Sequence, residues 1–173
     1  MKLFKRLPPL KHLKEILDYN PDTGVFTWKR SGHGVKVGQE AGGCSYNKDG
    51  RKYKVIRINK IRYRANRLAY YMYHGIDPLQ YLVDHKDNDS LNNKISNLRL
   101  ATISQNGFNH KIYNTNTSGI TGVSWIKREN KWAAQITAFG KMRHLGYFID
   151  KEDAIKARKE AEIKYCGEFR RED

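Results

Sequence analysis

Between Tyr81 and His110 the chain reads YLVDHKDNDSLNNKISNLRLATISQNGFNH. Asp84 and His85 are adjacent, Asn97 follows twelve positions after the histidine, and Asn106 nine after that. An acid, an imidazole and carboxamides suit one chemistry well, the hydrolysis of a phosphodiester with the help of a hard cation. That reaction needs an activated water, neutralised charge on the phosphorus oxygens and help for the leaving oxygen. A neutral imidazole, which ordinarily titrates at about 6.5, suits the first task. Carboxylate and carboxamide oxygens suit Mg²⁺, which keeps waters and takes further ligands from substrate phosphate. In a regular strand Asp84 and His85 point to opposite faces, so both serve one site only where the strand ends or bulges. The plainer alternative is a solvated acidic loop around Asp84, Asp87 and Asp89 that takes Ca²⁺. Its spacing lacks the glycine and closing glutamate of an EF-hand.

The elements that must position these groups follow from the pattern around them. Residues 79–83 read as a strand ending at Asp84-His85, and residues 86–93, KDNDSLNN, as a polar loop. A second strand is expected over 95–100. Thr102 and Gln105 then have the spacing of a capping box, which starts a helix with Asn106 in its early turns. Upstream, Leu10, Leu13, Ile16 and Leu17 have helical spacing, so a helix is expected over 10–19, stopped by Asn20-Pro21-Asp22-Thr23-Gly24. A short strand over 25–28 and a Gly-rich loop over 31–50 follow. That loop carries Lys36 and Lys48, which either lie on a phosphate backbone or are simply solvated. KYKVIRINKIRYR, residues 52–64, alternates around Asn59-Lys60 and reads as a hairpin. Its cations and interleaved tyrosines make a DNA-facing ribbon, with Arg57 and Arg64 as expected contacts, or merely a cationic solvent face. Residues 65–73 read as a helix ended by His74-Gly75.

The chain has 173 residues, with 33 Lys and Arg against 18 Asp and Glu, a formal net charge of +15. Such a surplus points to a polyanionic partner. No apolar run reaches membrane-spanning length, and the start lacks the apolar core of a signal peptide, so neither a membrane partner nor secretion is expected. The two cysteines, Cys44 and Cys166, read as free thiols of a reducing cytoplasm. Residues 1–114 hold 21 Lys and Arg against 9 acids, while residues 115–173 hold 12 against 9. Residues 114–118 read as a linker between the two parts. Beyond it, GITGVSWIK, KWAAQIT and KMRHLGYF are three alternating stretches, followed by a helix over 151–165. Trp132, Ala134 and Ile136 should pack beneath that helix, with Gln135 and Thr137 facing out. A three-stranded sheet backed by one helix is wide enough to enter a major groove, or is a small α+β module with a wet face.

VDHKDNDSLNNKISNLRLATISQNGFNH resembles the HNH endonucleases, specifically the phage and intron-homing branch of the His-Me finger nucleases. The carrying motifs are Val83-Asp84-His85, Asn97-Leu98-Arg99 and Ala101-Thr102-Ile103-Ser104-Gln105-Asn106. The resemblance implies His85 as general base, Asp84 and Asn106 as metal ligands, and Asn97 as the residue that holds the loop and orients His85. It extends upstream over most of residues 10–112, with Asn66 where the family often has His. Asn92, Asn93 and Asn109 are expected either to contact DNA or to terminate structure, and not to bind metal. GVSWIKRENKWAAQI, HLGYF and EDAIKARKEAEIKYCG resemble the plant ethylene-response-factor type of DNA-binding domain. That resemblance implies DNA contacts by Ser124, Gln135, Thr137 and His144, with Lys127 and Arg143 beside them. The plant proteins carry Arg and Trp where this chain mostly does not, so no target sequence carries over.

Together these readings give an α+β chain: a mixed N-terminal region leading into a ββα-metal finger (about 79–112), then a three-stranded antiparallel sheet packed by one helix. Residues 1–113 would be a nuclease domain with a DNA-binding extension, and 119–173 a DNA-selecting domain. The expected function is a site-selective, homing-type DNA endonuclease that nicks its substrate with one Mg²⁺ or Mn²⁺ ion. It would act as a monomer on double-stranded DNA, without a small-molecule cofactor, in the cytoplasm of a bacterial or phage-infected cell. The alternative is an inactive DNA-binding regulator on the same scaffold. RNA binding has little to support it, because no stacking motif of an RNA module is present.

Overall fold

A computed structural model describes residues 5–32, 34–47, 50–108, 116 and 118–169. Lys48, Asn109 and residues 114, 115 and 117 of the expected linker lie outside these. The chain is of the expected α+β class and divides into two compact units, Met1–Thr102 and Ile103–Asp173.

The first unit begins with α1 (Leu10–Ile16), entered from Pro9. The helix expected to reach Tyr19 stops at Ile16, and Leu17–Tyr19 becomes β1, antiparallel to β2 (Phe26–Trp28). The apolar spacing that suggested one more helical turn is satisfied differently. Leu17 enters the core as a strand residue, and the Tyr19 ring leans on Phe26 with centroids 4.7 Å apart. The turn between them is held by Asn20 Oδ1, which accepts from the N–H groups of Asp22 (3.0 Å) and Thr23 (3.1 Å).

β3 (Gly43–Tyr46), β4 (Lys52–Ile58) and β5 (Ile61–Arg64) form an antiparallel meander. Asn59 and Lys60 both have positive φ (48° and 66°), the twist that a tight two-residue hairpin requires. Ile56, Ile58 and Tyr63 point into the core. Arg57 pairs with Arg62 and Val55 with Arg64 on the other face. Helix α2 (Ala65–His74) buries Leu68, Ala69 and Met72, and Gly75 ends it at φ 71°.

Two buried polar residues of α2 fix the segment that follows. Asn66 Nδ2 donates to the Val83 carbonyl (2.7 Å), and the Arg67 guanidinium donates to the carbonyls of Tyr81 (2.8 Å) and Leu79 (3.0 Å). β6 (Leu82–His85) therefore starts later than the expected 79. Leu79 itself sits at φ 39°, with its N–H on Asp77 Oδ1. The partner strand, expected from 95, opens instead as a 3-10 turn (Ile95–Asn97) before β7 (Leu98–Ala101).

In the second unit α3 spans Ile103–Phe108, and β8 (Val123–Ile126), β9 (Lys131–Ala138) and β10 (Lys141–Phe148) form a sheet ordered β10-β9-β8. Helix α4 (Lys151–Cys166) covers one face. Ala134 and Ile136 meet Ala154 and Ala161 there, small residues that let the helix lie close. Arg158 fastens α4 to the sheet's entry loop, its Nε donating to the Thr121 carbonyl (2.7 Å). Among the described residues no helix is long and apolar enough to cross a membrane.

Candidate active site

The β6–β7 ribbon carries the acid and the imidazole that the sequence sets side by side. Its register sets Asp84 opposite Arg99 and His85 opposite Leu98, and the strand ends at His85. Both acid and imidazole are buried, each 8% exposed. Arg99 Nε and Nη2 both lie 3.0 Å from Asp84 Oδ2, a close, largely desolvated ion pair. Burial pushes the His85 imidazole below its ordinary pKa. A hydrogen bond with Asn93 and the carboxylates of Asp84, Asp87 and Asp89 pull the other way without overcoming it. At neutral pH the ring is thus uncharged, the form that accepts a proton.

The loop after His85 is tied to itself. The Asp87 carboxylate accepts from Asn92 Nδ2 (2.7 Å), Asn97 Nδ2 (2.8 Å) and the Asp89 N–H (2.8 Å). Burial alone would raise the Asp87 carboxyl, but these bonds outweigh it and hold it below the usual range. Asn97 Oδ1 accepts from the Asp87 N–H (3.1 Å), and its backbone carbonyl accepts from Lys86 (2.9 Å). The Asn97 amide is used on Asp87 and Asn92, whereas the ring of His85 meets Asn93, with Oδ1 3.3 Å from Nε2. The family resemblance implies an orienting role for Asn97, whose bonds here go to the loop, and Arg99 as partner of Asp84 is not among the expected site residues. The Arg99 partnership could have been found from strand register, since it stands opposite the acid. No spacing rule marks Asn93.

The acidic-loop alternative for Ca²⁺ finds no support here: Asp87 is occupied by loop donors and Asp89 Oδ1 by the Leu91 N–H (3.0 Å). Among the described residues no three His, Cys, Asp or Glu side chains gather into a cage. A single carboxylate beside a neutral imidazole instead fits an ion of the Mg²⁺ type, which completes its shell with water and phosphate. Asn106 is half-buried on α3 in the second unit.

The expected DNA contacts fall on two surfaces. Arg57 and Arg64 are exposed on the outer face of the β4–β5 hairpin, where Arg64 stacks on Tyr53 (4.1 Å). Arg57 also lines a cleft of about 1080 Å³, together with Arg30, Lys60 and Arg62, and neither Asp84 nor His85 lines it. In the second unit Ser124, Gln135, Thr137 and His144 are exposed on the open sheet face, and Lys127 in the β8–β9 turn. A bulge between His144 and Gly146 brings Tyr147 onto the same face, where it stacks on His144 (4.5 Å). Arg143 is not with them. Its register opposite Ile136 turns it to the helix side, where Nη1 donates to the Ala138 carbonyl (2.6 Å) and the guanidinium lies over Tyr165.

Residues 63–108, which span α2, the β6–β7 ribbon and α3, match the HNH endonuclease family model. A 70-residue stretch is 41% identical to Protein 3.8 of Escherichia phage T7, covering 40% of this chain and 58% of that protein. A 95-residue stretch is 35% identical to an uncharacterised HNH endonuclease of Acanthamoeba polyphaga mimivirus, covering 55% of this chain and 48% of that protein. The chain spans about half the length of the curated relatives it matches. No solved structure matches it. Residues 63–108 are thus similar to the HNH endonuclease family, with phage and viral proteins among the relatives, and the matched region stops short of the C-terminal sheet.

Proposed function

We propose that the protein is a metal-dependent DNA endonuclease that nicks double-stranded DNA at selected sites in the manner of a homing enzyme. One observation carries this reading: a buried His85 beside a buried Asp84, within the stretch that matches the HNH family. His85 takes a proton from water, and the hydroxide equivalent attacks the phosphorus in line with the departing 3′ oxygen, leaving a 5′ phosphate. Asp84 would hold a Mg²⁺ or Mn²⁺ ion, with Asn106 the second protein ligand that the family resemblance implies. When bound, the ion supplies neutralising charge to the phosphate and to the leaving oxygen. Asn97 keeps the loop closed behind the base through Asp87.

Substrate capture falls to the cationic surfaces. Arg57 directly opposite Arg62 is a like-charge pair that costs stability in isolation, and a phosphate backbone relieves it. The open face carrying Ser124, Gln135, Thr137 and His144 selects the site, in keeping with its resemblance to the plant ethylene-response-factor domain. Residues 1–113 then form the nuclease with its extension and 119–173 the selecting domain. One active site per chain makes a monomer that nicks one strand, within the bacterial or phage-infected cell that holds its substrate. Supercoiled plasmid or phage DNA incubated with Mg²⁺ or Mn²⁺ should pass to open circles, and EDTA should prevent it. Tight binding without any open-circle product on cognate DNA would mark the chain as a DNA-binding regulator instead.

A further inference from the structure

We infer that Asn93 is the positioning residue of the base: its carboxamide oxygen holds the His85 ring with hydrogen on Nε2, making Nδ1 the proton-accepting nitrogen, and the β1–β2 hairpin holds Asn93. This rests on His85 being the base. Asn93 is 2% exposed, and its two amide atoms have separate partners. Nδ2 donates to the Leu91 carbonyl (3.0 Å), which fixes the way round the amide sits. The atom 3.3 Å from His85 Nε2 is then Oδ1, which can only accept. Nε2 must supply the hydrogen, and in a neutral imidazole the lone pair is left on the other nitrogen. A length of 3.3 Å is at the long end for such a bond, as catalytic contacts often are before substrate tightens them.

The backbone of Asn93 is held from a distant part of the chain. The Tyr19 hydroxyl donates to the Asn93 carbonyl (2.7 Å) across 74 residues of sequence. Gly24, at φ 74°, packs so closely that a Cβ there would lie 2.6 Å from the Asn93 carbonyl carbon and the Lys94 nitrogen. The Ile95 N–H donates to the Pro21 carbonyl (3.0 Å). Three contacts from one hairpin thus converge on the three residues that begin at Asn93. The hairpin lies outside residues 63–108, so this clamp is a device of the chain beyond the matched family region. Asn97 cannot take the role, because its amide is bound to Asp87 and Asn92.

The test uses the full chain. In ¹⁵N-histidine-labelled, metal-free protein, wild type should show a hydrogen-bonded ring proton on His85 Nε2 and a pyridine-like Nδ1. Asn93→Leu should lose that proton signal to solvent exchange, and Asn93→Asp, which keeps an acceptor, should retain it. In plasmid nicking, Asn93→Leu should lower kcat by roughly 10- to 100-fold with KM for DNA held, and Asn93→Asp should recover most of the loss. Should Asn93→Leu fail to fold, Tyr19→Phe releases the clamp alone and should lower kcat by a smaller factor, again at constant KM. A wild-type ring protonated on Nδ1 would overturn the inference, as would wild-type kcat in a folded Asn93→Leu or in Tyr19→Phe. If wild type nicks nothing, the function assigned to His85 fails, while the ring-proton signature still decides its link to Asn93.

Discussion

Replacing Arg99 by Met probes what the buried ion pair with Asp84 contributes to the fold. Asp84 and Arg99 have side chains only 9% and 11% exposed, and two guanidinium nitrogens lie 3.0 Å from one carboxylate oxygen. Deleting one partner of such a pair takes the countercharge from the other, at a cost of about 3–5 kcal/mol. With an m-value of about 2 kcal/mol/M, the urea midpoint should fall by about 2 M. Following Trp28 with Trp125 and Trp132 replaced by Phe confines the signal to the first unit, so the transition reports the fold that holds Asp84. Removing the Asp84 charge as well, in Asp84→Asn with Arg99→Met, should return most of the lost stability. Mg²⁺ provides a second check. A divalent ion restores countercharge to Asp84, so at about 100 times its dissociation constant it should stabilise Arg99→Met by about 2.7 kcal/mol. A loss below about 1 kcal/mol would show that water screens the pair. A full loss that Asp84→Asn does not repair would show that Arg99 acts through its stem packing instead.

Other consequences can be checked separately. Gly24→Ala forces a methyl group against the backbone of Asn93 and Lys94 at a positive φ, and should cost about 1–3 kcal/mol by urea denaturation. Burial, helped by Tyr73 and Asp22, pushes the Tyr19 hydroxyl up to about 12. Because the folded value lies above the unfolded one, its contribution to stability is complete below about 10 and is lost as pH rises towards about 12. Ultraviolet titration should show a late ionisation that disappears in Tyr19→Phe. Gln135→Ala with Thr137→Ala should blunt site preference in cleavage mapping while leaving metal-dependent nicking of plasmid intact, whereas loss of metal dependence would contradict the division of labour.

Much of the architecture was legible because local chemistry and tertiary structure agree. Asn59-Lys60 between alternating runs gave the hairpin, and Ala134 and Ile136 alternating with Gln135 and Thr137 gave the two faces of the C-terminal sheet. Where they disagree, long-range pairing won. Leu17 fits a helix by spacing but a strand by partner, since Trp28 lies opposite it. Arg143 reads as a surface cation, yet its register opposite Ile136 sends it under α4. Of the candidate site, Asp84 and His85 are proposed from residue type and adjacency. Asn93 could not be, because its contact with His85 depends on a loop closed by Asp87 and on a clamp supplied by Tyr19, 74 residues away. Asn66 shows the same limit, a family departure whose amide turns out to tether the strand that carries the acid.

Nicking of supercoiled DNA with Mg²⁺ or Mn²⁺ by wild type and by His85→Ala decides whether His85 is the base of a metal-dependent DNA nuclease. Wild type should give open circles with 5′ phosphate ends, and the variant, folded and still binding DNA, should be slower by about 100-fold or more. Equal nicking by the two proteins would contradict that role.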